Sequence, residues 1–235
     1  MANDQRIKLY ATSPHPCSYF DDRDAKTLFI DPELEINPRL YTHLSQRGFR
    51  RSGPHLYKPY CEDCKQCVAS RIPVELFAPS RNQRKVINRN CDLRVVCKPE
   101  MDEAAYPLYE RYINTRHQDG DMYPASREQF DSFLVDSMPC TEYAHFYDED
   151  GSLVAVAVMD ALDDGLSAIY TFFDPDLTRR SLGKFAILWQ IHAAAERLLP
   201  YLYLGYWIKN CDKMRYKTDY RPIELLAEKR WVRIN

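Results

Sequence analysis

Leu166-Ser-Ala-Ile-Tyr-Thr-Phe-Phe173-Asp-Pro175 is followed, after a short polar step, by Ser181-Leu-Gly-Lys-Phe-Ala-Ile-Leu-Trp-Gln-Ile-His-Ala-Ala-Ala-Glu-Arg-Leu-Leu199-Pro200. The first run is a strand ended by Asp-Pro, and the second is helix-forming nearly throughout and stopped by Pro200. Outward from this pair, Tyr201 to Ile208 reads as the next strand. Upstream, Glu142 to Tyr147 and Ser152 to Asp160 are alternating runs joined by Asp148-Glu-Asp-Gly151, the chemistry of a hairpin. Ser126-Arg-Glu-Gln129 predicts a capping box that opens a helix through Val135, Asp102 to Thr115 has helical spacing, and Asp92 to Lys98 alternates as a strand. The order from Cys91 onward is thus strand, two helices, three strands, long helix, strand, a compact mixed fold of the α+β class.

Residues before about 90 differ in texture. Pro14, Pro16, Pro32, Pro38, Pro54, Pro59, Pro73 and Pro79 break candidate helices, which leaves short strands at Leu56 to Tyr60 and Ser70 to Phe77 and one helix near Arg39 to Arg47, ended by Gly48. The expected division is a loop-rich domain over 1–90 and a second domain over 91–235. At 235 residues and 45% hydrophobic content the chain can build its own core. No apolar run of membrane-spanning length occurs, and Met1-Ala-Asn-Asp-Gln-Arg6 lacks an apolar leader block, so no membrane partner and a cytoplasmic location are expected. Oligomeric state leaves no mark in the sequence.

Cys61-Glu-Asp-Cys64-Lys-Gln-Cys67 has a C-x2-C-x2-C spacing that gathers three thiolates, with Cys17 in a proline-flanked loop as the fourth candidate. Two readings stand: a zinc or iron–sulfur site, or small buried thiols in a tight turn. The other four cysteines, Cys91, Cys97, Cys140 and Cys211, read as core. The formal net charge is -2, yet Ala78 to Lys98 carries a local +5 through Arg81, Arg84, Lys85, Arg89, Arg94 and Lys98 against Asp92. Lys209 to Arg221 carries a local +3, with Lys209 and Lys213 at its start and Tyr216 and Tyr220 interleaved. Such islands suit a phosphate backbone and stacked bases, whereas Arg179, Arg180 and Lys184 at the head of the long helix suit either phosphate contact or a solvated helix face.

Several motifs together resemble one family. Tyr57-Lys-Pro-Tyr-Cys61 with Cys64, Cys67, Arg71-Ile-Pro-Val and Ser80-Arg-Asn-Gln-Arg-Lys85 is similar to the N-terminal part of bacterial aspartate/glutamate leucyltransferases, relatives of eukaryotic arginyl-tRNA–protein transferase. Arg116-His-Gln-Asp-Gly-Asp-Met122, Tyr170-Thr-Phe-Phe-Asp-Pro-Asp176, Arg180-Ser-Leu-Gly-Lys184, Tyr203-Leu-Gly-Tyr-Trp-Ile208 and Lys213-Met-Arg-Tyr-Lys217 resemble its C-terminal part. The resemblance implies a GNAT-like acyltransferase domain with a mixed, mostly antiparallel sheet, and transfer of leucine from Leu-tRNA to an N-terminal Asp or Glu that marks proteins for degradation. The eukaryotic relatives hold a metal or cluster on a two-plus-two cysteine arrangement, from which this one-plus-three arrangement departs.

The chemistry such a reaction needs is modest. An aminoacyl ester is already activated, so no cofactor is required for transfer and positioning dominates. The acceptor α-amine, with a reference pKa of about 7.7–8.0, needs only slight base assistance, and the tetrahedral intermediate needs N–H donors beside a strand bulge or helix start. Asp174 and His117 are the candidate catalytic groups, against a turn cap for Asp174 and a surface position for His117. Arg71 and Tyr170 are the candidate acceptor contacts, the Arg71 fork matching a carboxylate, against an Arg held by a neighbouring structural carboxylate. Different classes remain open beside the leading one: an arginyl-tRNA-dependent transferase, a coenzyme A-dependent acetyltransferase, and a metal-bearing RNA-binding module without enzymatic activity.

Overall fold

A computed structural model describes residues 7–235; Met1–Arg6, read above for a leader segment, lie outside the described residues. Elements in chain order are β1 (Leu9–Ala11), β2 (His15–Pro16), β3 (Asp24–Ala25), β4 (Thr27–Ile30), α1 (Pro38–Gln46), β5 (Arg50–Ser52), β6 (His55–Pro59) and β7 (Val68–Pro73). There follow α2 (Arg81–Arg89), β8 (Arg94–Lys98), α3 (Ala105–Arg116), α4 (Arg127–Phe130), β9 (Thr141–Tyr147), β10 (Leu153–Leu162) and β11 (Gly165–Phe173). The chain closes with α5 (Leu182–Glu196), β12 (Tyr201–Trp207), α6 (Asp212–Arg215), β13 (Ile223–Ala227) and β14 (Arg230–Ile234).

The central sheet has eight strands in the order β14-β13-β7-β12-β11-β10-β9-β8, antiparallel except for the parallel pair β11 and β12. Period-two alternation on β10 builds both faces. Ala155, Ala157 and Met159 join α5 in one core, and Val156 and Val158 join Tyr109 and Ile113 of α3 in another. The expected hairpin, the strand from Leu166 and the long helix are all present within a few residues of their sequence-read limits, and Gly151 takes the left-handed turn position (φ 80°). Where β11 meets α5, Gly183 allows the close approach, since a Cβ there would lie 2.9 Å from the Phe173 ring.

Sequence reading missed α2. Ser80 Oγ accepts from the Gln83 backbone N–H at 3.3 Å and Gln83 Oε1 from the Ser80 N–H at 2.7 Å, a complete capping box directly after Pro79. The box expected at Ser126 is half formed. Ser126 Oγ accepts from the Gln129 N–H at 3.1 Å, but the Gln129 side chain accepts from Tyr109 Oη instead. α4 then widens into a π-helical turn over Asp131–Val135. The strands β13 and β14 at the chain end were also missed.

The segment before residue 90 is not confined to one side of the molecule. β1, β4, β6 and β5 form a separate four-stranded sheet, whereas β7 lies inside the central sheet between β12 and β13. A buried ion pair ties the two sheets together. Arg51 on β5 donates from Nε to Asp160 Oδ2 at 2.7 Å and from Nη2 to Oδ1 at 2.9 Å, and both side chains are 0% exposed. Tyr41 Oη at 2.6 Å and Thr141 Oγ1 at 2.7 Å donate to the same carboxylate. Four elements, α1, β5, β9 and β10, therefore converge on one group. Asp160→Asn leaves Arg51 buried without a counter-charge, and a loss of about 3–5 kcal/mol in folding stability is expected, read as a lower midpoint in urea denaturation.

Candidate active site

The site is set by a gap in the sheet. β11 and β12 pair in parallel only over Gly165, Leu166 and Ser167 with Tyr201, Leu202 and Tyr203; beyond these, neither strand has the other as partner. A bulge on β11 leaves Ile169 outside the register with β10, next to the point of separation. The polar groups freed by the parting are taken up by cations. Arg50, at the start of β5, donates from Nη1 to Ser167 Oγ at 2.9 Å and from Nη2 to the Ala168 carbonyl. On the other side Lys217 donates to the Tyr206 carbonyl and lies 3.2 Å from Met214 Sδ. Gly205, at φ 79°, gives Arg50 its berth, because a Cβ there would lie 3.2 Å from the Arg50 Nε.

Burial pushes the Lys217 ammonium down, and neighbouring Arg50 pushes it further, to about 7. Tyr206, whose Oη donates to the Gly48 carbonyl at 2.7 Å, is held far above its ordinary range by the same burial. Lys217 was counted in the exposed basic island on sequence grounds; the structure turns it inward. The signal that could have singled it out is the nearby Tyr220, which is buried with the core while Tyr216 stays exposed, so the short turn over Tyr216–Asp219 alternates inward and outward residues rather than forming a free basic loop.

Of the expected catalytic groups, Asp174 serves its turn. Its Oδ1 accepts the Asp176 N–H at 2.9 Å and pairs with Arg111 at 3.0 Å, so its carboxylate is spent on the Asp-Pro turn. His117 caps α3, its ring 4.9 Å from that of Tyr112, with burial, Arg116 and Lys213 holding its pKa down. Tyr170 packs edge-on against Phe133 on the α3 side of β11, and its hydroxyl is raised by burial.

Arg71, expected to face an acceptor carboxylate, faces an internal one. Its Nε donates to Glu224 Oε2 at 2.8 Å, and its guanidinium lies 3.5 Å from the Tyr201 ring centre and 4.2 Å from that of Trp231. Being 7% exposed, it pins β7 to β13. The fork is occupied.

The structure does gather most of the cations expected to meet phosphate. Arg81, Arg84 and Lys85 lie on the exposed side of α2, which packs on α5. Gln83 Nε2 donates to the Asp219 carbonyl at 3.0 Å, and Lys184 Nζ sits 3.7 Å from the Asp219 carboxylate. Arg89 donates to the Arg179 carbonyl, so exposed Arg179 and Lys184 border the same α2 surface at the head of α5. Arg180 turns away to Asp92, in a two-pronged pair at 2.8 and 3.0 Å. Lys209 is exposed, and Lys213 reaches across to Asp119 at 2.8 Å.

Cys17, Cys61, Cys64 and Cys67 are all partly buried free thiols. Burial, reinforced by the neighbouring Cys17, Cys61, Cys64 and Cys211, pushes the Cys67 thiol up to about 12. Among the described residues no group of three or more His, Cys, Asp or Glu side chains is placed to hold a metal ion, so the zinc or cluster expectation finds no support in the geometry.

Known proteins share this arrangement over the full length. Residues 15–85 match the model of the arginine-tRNA-protein transferase N terminus, and residues 104–227 match that of its C terminus. The aspartate/glutamate leucyltransferase of Pseudomonas fluorescens (strain SBW25) is 56% identical over 231 residues, covering 98% of each chain. The chain belongs to the aspartate/glutamate leucyltransferase family. Another family member, from Teredinibacter turnerae, is 53% identical over 98% of this chain and 95% of its own. Two solved structures share the fold at low identity: L-PGS from Bacillus licheniformis, with a TM-score of 0.51, 10% identity and coverage of 86% of this chain and 69% of its own, and FemX, with a TM-score of 0.50, 9% identity and coverage of 88% and 81%. The fold of this leucyltransferase family member is therefore GNAT-like.

Gly205→Ala should cost about 1–2 kcal/mol through its left-handed backbone and displace Arg50 from Ser167. The expected readout is a roughly tenfold or greater drop in aminoacyl transfer with a small fall in melting temperature. A transfer rate equal to wild type would show that the Arg50 berth is not part of the site.

Proposed function

We propose that this chain transfers leucine from leucyl-tRNA to the α-amine of an N-terminal Asp or Glu, marking the acceptor protein for degradation, in the cytoplasm where charged tRNA is made. The observation that carries the reading is the end-to-end likeness to relatives named aspartate/glutamate leucyltransferase, with the candidate motifs of both halves included. The ester of the donor supplies the driving force, so the protein's work is to bring an amine to an acyl carbon. The parting of β11 and β12 offers a seat for that carbon, beside the bulge at Ile169. The exposed basic groups of α2 and the head of α5 offer a track for the tRNA backbone leading to it. The neutral amine attacks the ester carbonyl, the C–O bond to the ribose breaks, and the released hydroxyl takes up the proton that leaves the attacking nitrogen.

A second donor, arginine, is favoured by the description of the matching family model. Leucyl-, arginyl- and phenylalanyl-tRNA offered in parallel with peptides beginning Asp or Glu separate the two. Label should move from leucyl-tRNA alone; transfer from arginyl-tRNA with none from leucyl-tRNA would reassign the donor. With the cognate donor, the paired change Arg84→Glu and Lys184→Glu is expected to raise the KM for aminoacyl-tRNA by roughly tenfold or more and flatten its salt dependence, leaving the peptide KM unchanged.

A further inference from the structure

Among the described residues four Lys and Arg side chains are buried: Arg50, Arg51, Arg71 and Lys217, at 8%, 4%, 7% and 5% exposure. Two of them have carboxylates, Asp160 for Arg51 and Glu224 for Arg71. The other two have none among the described residues. Arg50 meets only a hydroxyl and a carbonyl, and Lys217 only a carbonyl and a thioether, a weak acceptor that leaves donor capacity unspent. The groups that act on Lys217 are Arg50 from β5, Cys211 at the start of α6 and Cys67 just before β7. A buried cation without a counter-ion is costly, and two beside each other more so. Both also border the gap in the sheet, Arg50 bonded to β11 and Lys217 to β12.

We propose that Arg50 and Lys217 receive the side-chain carboxylate of the acceptor's N-terminal Asp or Glu at the gap between β11 and β12. This deepens the leucyl-transfer reading and rests on it. The anion that these two cations lack is the feature that distinguishes an acidic acceptor from its amide counterpart. An Asn or Gln of the same shape would leave both charges uncompensated, which is how a polar site rejects a near-isostere. Arg50, fixed by Ser167 and Ala168, supplies direction, while the flexible four-carbon stem of Lys217 adjusts to the one-methylene difference between Asp and Glu. Anchoring the carboxylate also fixes the α-amine a few bonds away, beside the place assigned to the acyl carbon. The task first assigned to Arg71 thus passes to the two buried cations that the fold leaves unpaired.

The test compares wild type, Lys217→Gln and Lys217→Arg in leucine transfer to a peptide beginning with Asp, with calorimetric titration of the same peptide and its Asn counterpart. Lys217→Gln is expected to raise the KM for the Asp peptide roughly 10- to 100-fold, the worth of a charge-assisted contact, while the KM for leucyl-tRNA stays within about twofold. Lys217→Arg should recover most of the loss, and the affinity gap between Asp and Asn peptides should shrink in Lys217→Gln. A readout without substitution is amine-reactive labelling of Lys217 in the wild type, slowed by saturating Asp peptide and not by Asn peptide. An unchanged peptide KM, a rise confined to leucyl-tRNA, an equal loss with both peptides, or labelling indifferent to the Asp peptide would each overturn the assignment. Wild type inactive on every acidic peptide would instead sink the leucyl-transfer reading itself.

Discussion

The carboxylate of Asp160 is the point on which the architecture turns. It sits near the end of the long strand β10 and satisfies donors from three other elements, the Arg51 guanidinium among them. Removing two full charges from water is expensive, and only the complete set of hydrogen bonds makes it tolerable. The outer sheet can therefore approach the central one in a single orientation. That orientation delivers the neighbouring residue, Arg50, to the gap between β11 and β12. Adjacent residues of β5 point opposite ways along a strand, so one holds the sheets together while the next enters the site.

The buried cations fall into two kinds with different duties. Arg51 and Arg71 are neutralised within the protein and act as rivets, the first between sheets and the second between β7 and β13. Arg50 and Lys217 meet only neutral partners among the described residues, and they stand where the sheet opens. The same bookkeeping sorts the surface: Arg180 is committed to Asp92, while Arg179, Arg81 and Lys85 remain exposed around the head of α5.

What could be read from the sequence was whatever local periodicity encodes. β10, β11 and α5 are long and bounded by Gly151, Asp174-Pro175 and Pro200, and they stand where their patterns put them. α2 carries an equally clear signature in Ser80 and Gln83, masked by the prolines that surround it. The place of β7 was not legible, because its partners β12 and β13 are more than a hundred residues away and nothing in six residues names a distant neighbour. The surroundings of individual side chains were illegible for a related reason. Arg71, Asp174 and Lys217 were judged by residue type and local charge, but what decides their surroundings is the presence or absence of an opposite charge contributed by another element. The cysteine spacing likewise says that thiols can meet, not which way they point.

The insertion of β7 also bears on how the protein is made. A strand synthesised in the first third of the chain is flanked in the finished sheet by strands from its last fifteen percent. During translation its edges lack their partners until Tyr201–Trp207 and then Ile223–Ala227 have emerged, so the central sheet cannot be completed before residue 227 is made. Until then the exposed edge of β7 is a template for pairing with other chains, and the charged guanidinium of Arg71 in its middle discourages such pairing before Glu224 arrives to receive it.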